Sequence, residues 1–94
     1  MPIQRVRWLE EIEDKLLAKH NVLVEEVEDV LFGTPYIRFV ETGHREGEDL
    51  YAAYGRTGGG RYLIVFYLLK PGSEALIVSA RDMDSKERRR YERR

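Results

Sequence analysis

The sequence predicts a single small α+β domain spanning residues 1–94, and three features carry the prediction. Two amphipathic helical stretches precede residue 33, a series of short strands divided by glycine and proline follows, and a capped basic segment closes the chain. Ile3-Gln4-Arg5-Val6-Arg7-Trp8 alternates apolar and polar residues as a half-buried strand does, with Trp8 ending it in the core. From Leu9 to His20, the residues Leu9, Ile12, Leu16 and Leu17 fall at helical spacing, opposite Glu10, Glu11, Glu13 and Asp14. Asn21 tolerates the left-handed conformation that ends a helix. Leu23, Val24, Val27, Val30 and Leu31 repeat the pattern until Gly33-Thr34-Pro35 stops it.

Tyr36 to Glu41 reads as a strand, and the loop from Thr42 to Glu48 joins it to a second strand from about Asp49 to Arg56. Gly58-Gly59-Gly60 makes the next turn. The run from Arg61 to Leu69 is apolar without alternation, which predicts a central strand covered on both faces. Lys70-Pro71-Gly72-Ser73 suits a tight hairpin turn into a last strand from Glu74 to Ala80. Asp84 and Glu87 form a capping-box pattern, so a basic helix is expected from about Ser85 to the end. Its cations near a helix C-terminus are favoured by the macrodipole, which is reason enough for them without any ligand.

With 94 residues, 43% of them hydrophobic, the chain supplies one core and not two. The absence of cysteine removes disulfides, thiolate metal sites and cysteine nucleophiles, and a reducing cytoplasm is the expected location. Met1 to Trp8 hold Arg5 and Arg7 but no apolar run of secretory length, and no stretch approaches the roughly 20 apolar residues that span a bilayer, so no membrane association is expected. The net charge of −1 conceals a polarity. Residues 1–50 hold 12 acids against 6 bases, and residues 51–94 hold 5 acids against 10 bases, so only the second half invites a phosphate backbone.

Metal chemistry finds little support, since His20 and His44 stand far apart in sequence, and no cofactor is expected. The triple glycine lacks a Gly-Lys-Ser/Thr ending and precedes a strand, so it is a turn rather than a phosphate loop. Ser73, Ser79 and Ser85 have no histidine nearby to activate them. What remains is a set of arginines, acids and a tyrosine around one sheet: His44, Glu46, Glu48, Arg61, Tyr67 and Arg81. Metal-free RNA cleavage uses these types: a base for the ribose 2′-hydroxyl, a cation for the pentacoordinate phosphate and an acid for the leaving 5′-oxygen. By composition alone they read first as ordinary surface charges and core tyrosines.

A resemblance adds to this. Val78-Ser79-Ala80-Arg81 followed by Glu87-Arg88-Arg89-Arg90-Tyr91-Glu92 resembles the C-terminal signature of the BrnT family of bacterial toxins, a strand ending Ser-Ala-Arg that runs into a basic helix with Tyr and Glu. Trp8, Lys19-His20, Glu25-Glu26, Glu48 with Tyr51 and Gly55, Gly60-Arg61 and Tyr67 extend the likeness over nearly the whole chain. The resemblance implies a RelE-like fold, with a small antiparallel sheet, two N-terminal helices and one basic C-terminal helix. It implies a ribonuclease neutralised by a ribbon-helix-helix antitoxin similar to BrnA, with DNA reached only through that antitoxin. Four positions depart from the family pattern. Leu50 and Leu76 stand where arginines are usual, Leu16 replaces an asparagine, and Asn21 replaces the glycine of Lys-His-Gly.

On this resemblance Arg81 and Arg61 are expected on the scissile phosphate, Glu48 or His44 as general base and Tyr67 as acid, with Arg56, Arg88 and Arg89 on the RNA backbone. Leu50 and Leu76 favour an alternative, an inert module that only binds the antitoxin. A plain RNA-binding domain is the third reading, opposed by Tyr62, Phe66 and Tyr67 lying in a run that reads as buried.

Overall fold

In a computed structural model, which describes residues 3–94, the chain forms five strands and three helices. In order these are β1 (Arg5–Arg7), α1 (Glu10–His20), α2 (Val24–Phe32), β2 (Tyr36–Glu41), β3 (Leu50–Arg56), β4 (Tyr62–Lys70), β5 (Glu74–Asp82) and α3 (Ser85–Arg93). Met1 and Pro2, the first residues of the expected single domain and of its charged N-terminal stretch, lie outside the described residues. The punctuation read from the sequence holds at the helix ends. Asn21 sits at φ 53° and its N–H donates to the carbonyls of Leu16 and Leu17, closing α1. Asp84 accepts from the Glu87 N–H at 2.8 Å and Glu87 accepts from the Asp84 N–H at 2.9 Å, so α3 starts in a capping box.

The sheet runs in the order β1-β5-β4-β3-β2. The hairpin pairings are antiparallel, but β1 adds to β5 in parallel, so the sheet is mixed rather than antiparallel as expected. The reason is non-local: β1 pairs with the strand farthest from it in sequence, and no turn residue signals it. β1 is also shorter than the alternation from Ile3 to Trp8 suggested, and β5 runs two residues past Ala80.

Two faces follow. On one, Leu16, Val27, Val30 and Leu31 of α1 and α2 pack on Leu63, Val65, Tyr67, Ala75, Ile77 and Ala80. The strand and the helix sit so close at Gly55 that a Cβ there would lie 2.9 Å from Val30. On the other face Tyr91 of α3 packs with Ala52, Tyr54 and Ile64, covering only part of the sheet. Beyond it, Leu50, Leu68 and Leu76 stand in one row across β3, β4 and β5.

Two bulges set which side chains share a face. In β5, Ser79 pairs with Phe66 and Ile77 with Tyr67, leaving Val78 as the extra residue. Without that insertion Leu76 and Arg81, five apart, would point to opposite sides; with it both point to the face of α3. In β2, Val40 is the extra residue, between Phe39 opposite Tyr51 and Glu41 opposite Leu50. No helix among the described residues is long and apolar enough to cross a membrane.

Candidate functional site

Arg81 stands opposite Ile64 on the face shared with α3, at the end of the strand that leads into the basic helix. Its guanidinium grips the Glu87 carboxylate with both arms, Nη1 to Oε1 at 2.7 Å and Nη2 to Oε2 at 2.8 Å, and lies 5.6 Å from the centre of the Phe66 ring. The hydrogen bond from Arg81 holds the Glu87 carboxyl below the usual carboxylate range, and the same bond raises Arg81. Both are therefore charged at neutral pH. The Arg81 side chain is 36% exposed, so an incoming phosphate can reach it, and Glu87 is a carboxylate already in contact with that cation. A cation for a phosphate and a proton acceptor beside it are the two groups that transesterification of RNA needs first.

Further along α3, two guanidiniums lie against the Tyr62 ring, Arg56 at 4.6 Å and Arg88 at 3.8 Å from its centre. Arg56 also donates to the Gly60 carbonyl at 3.2 Å, and the Tyr62 hydroxyl lies 3.5 Å from Glu92. The structure thus joins Arg56 to Arg88 through Tyr62, with Arg89 exposed on the same helix. Tyr62 and Phe66 are half-buried on the α3 face, not sealed on both sides as the unbroken apolar run suggested. Nothing in such a run reveals which residues face which layer. Glu87, read from the sequence only as a cap, is the partner of Arg81 that sequence reasoning missed.

Arg61 lies on the opposite face. It donates from Nε to Asp82 Oδ1 at 2.7 Å, from Nη1 to the Asn21 carbonyl at 2.7 Å and Glu26 at 3.1 Å, and from Nη2 to the His20 carbonyl at 2.9 Å. It ties the end of α1 and the start of α2 to the sheet, so its donors are taken by the protein and it does not join Arg81. Tyr67 is fully buried beneath α1 and α2, stacked 5.8 Å from Tyr51, and its hydroxyl has no hydrogen-bond partner. Burial pushes that phenol up to about 12, and the expected acid is closed off from any RNA.

His44, Glu46 and Glu48 lie in the loop between β2 and β3, where Glu48 accepts from the Arg45 N–H at 3.1 Å. That loop enters β3 at Leu50, opposite Leu68, four residues along β4 from the partner of Arg81, or about 13 Å at the rise of a strand. The loop and Arg81 are not brought together. Leu50 and Leu76 flank Leu68 in the apolar row. Among the described residues no three His, Asp or Glu side chains gather where they could hold a metal ion. A family model described as a ribonuclease toxin, BrnT, of a type II toxin-antitoxin system matches residues 8–87. No curated protein matches the chain.

Proposed function

Because the chain belongs to the BrnT family of ribonuclease toxins of type II toxin-antitoxin systems, we propose that it is an endoribonuclease that cuts RNA without a metal ion, on the face of the sheet that Arg81 shares with α3. The observation that carries this is the half-exposed Arg81 with its two-armed Glu87 partner, inside the matched segment. The scissile phosphate takes one arm of Arg81 from the carboxylate, and Glu87 accepts the proton of the ribose 2′-hydroxyl. The 2′-oxygen bonds to phosphorus, the bond to the 5′-oxygen breaks, and water protonates the leaving oxygen. Glu87 takes the base role in place of Glu48 or His44 because it touches Arg81 and they do not. Arg56, Arg88 and Arg89 bind backbone phosphates. Arg61 and Tyr67 take structural roles.

The arrangement of helices on a sheet led by hairpins fits a RelE-like fold. The partner that neutralises it is a BrnA-like ribbon-helix-helix antitoxin, DNA is reached through that partner, and the setting is the cytoplasm. Purified protein incubated with RNA in excess EDTA should yield fragments ending in 2′,3′-cyclic phosphate. A strict need for a divalent metal would overturn the proposal. The row of Leu50, Leu68 and Leu76 favours a second reading, an inert module, and intact antitoxin binding with no cleavage under any condition would establish it instead.

A further inference from the structure

α3 lies across β3 with two unlike flanks. Toward β4, Arg88 stacks on Tyr62 and has Glu92 at 3.9 Å to balance it. Toward β2, Arg90, Arg93 and Arg94 join Tyr36 around an open concavity of about 390 Å³. Among the described residues no carboxylate comes within 4.0 Å of these three guanidiniums. Arg94 is fixed in place, donating to the Tyr91 carbonyl at 2.6 Å and lying 3.9 Å over the Tyr91 ring. Like charges three and four residues apart on a helix repel, and the dipole at a helix C-terminus amounts to only about half an elementary charge. Three cations are therefore gathered with Tyr36 at one concavity with no carboxylate in contact among the described residues.

We infer that this concavity is a second RNA subsite, in which Arg90, Arg93 and Arg94 hold phosphates and Tyr36 stacks on a base of the same single strand. The inference rests on the ribonuclease reading and adds to it the path of the substrate. Tyr36, Tyr54, Ile64 and Arg81 form one row across β2 to β5, so Tyr36 and Arg81 lie three strand spacings, or about 14 Å, apart on one face. Tyr91 of α3 fills the middle of the row, and exposed Lys86 and Arg89 on the same helix carry positive charge between its ends. A strand cut at Arg81 passes over α3 and is gripped at the far side. Guanidinium forks and an aromatic face are the usual pair for single-stranded RNA, one reading phosphate and the other any base. The α3 residues of this subsite lie beyond residue 87, where the family match ends.

The probe is a short 2′-O-methyl oligoribonucleotide, which cannot be cleaved, titrated over a series of salt concentrations. Arg90→Ala combined with Arg93→Ala removes two exposed side chains and should leave the melting temperature unchanged. It should weaken binding about tenfold and flatten the salt slope by about 0.7 for each phosphate no longer neutralised. Tyr36→Leu should weaken binding with the slope unchanged. A parent that binds and cleaves RNA while the double variant keeps its affinity and slope overturns the subsite alone. Loss of antitoxin binding with RNA binding intact assigns the concavity to an acidic segment of the antitoxin and overturns it as well. A parent that binds no RNA overturns the ribonuclease reading beneath it.

Discussion

Arg81 lies near the end of β5 and Arg61 immediately precedes β4, yet their surroundings give the two arginines different work. Arg81→Ala should abolish RNA cleavage while costing on the order of 1 kcal/mol in urea unfolding, because the pair is partly exposed and the Glu87 carboxylate keeps its hydrogen bond from the Asp84 N–H. Arg81→Lys keeps the charge and loses the fork, so cleavage should fall with it. A variant that melts far below the parent would make Arg81 a structural residue. Arg61→Ala should instead leave the Arg81 site intact and cost about 2 kcal/mol, since it removes the hydrogen bonds to the His20 and Asn21 carbonyls, Glu26 and Asp82 that tie α1 and α2 to the sheet. The acid limb of stability follows from the same contacts. Asp82 is held below 3.8 by its hydrogen bond from Arg61, and Glu87 below 4.5 by its hydrogen bond from Arg81. Each folded carboxyl binds its proton later than the unfolded one, so this stability is complete above those values and is lost as pH falls through the folded ones. Arg61→Ala should flatten the decline of melting temperature below about pH 4.

Among the elements, the tight seat of β3 on α2 gives the sharpest test. A methyl group at Gly55 meets Val30, which is buried and cannot swing away, so Gly55→Ala should destabilise by about 1–3 kcal/mol in chemical denaturation. Strand β3 also begins with Leu50, half-buried on the α3 face beside exposed Glu41 of β2. Leu50→Arg should fold normally and raise RNA cleavage; a folded, antitoxin-binding variant with no gain would count against catalysis on this face. The ends of these elements were legible because Asn21, Gly33, Pro71, Gly72 and Asp84 act through local backbone geometry. The parallel pairing of β1 with β5 was not, since it depends on contacts made across the whole chain. Nor was the bulge at Val78, which decides that Leu76 and Arg81 share a face. Of the candidate site, Arg81 and the pairing of Arg56 with Arg88 lie on one face, whereas Arg61, Tyr67 and the loop of His44 and Glu48 scatter around the sheet. Strand order and register, which residue types do not encode, account for that scatter.

In the whole molecule the acid-rich helices α1 and α2 lie on one layer and the arginines of α3 on the other. On the proposed reading RNA should be drawn to the α3 side only, and kcat/KM for a long RNA should fall steeply between low and physiological ionic strength, much more than kcat does. A flat salt profile would place the substrate elsewhere. The outer rims of the sheet carry a different consequence. One border strand, β1, is three residues long, and the other, β2, is broken in register at exposed Val40. Neither offers a long regular ladder of unpaired amides on which a second copy can nucleate, so edge-to-edge pairing between copies should be disfavoured.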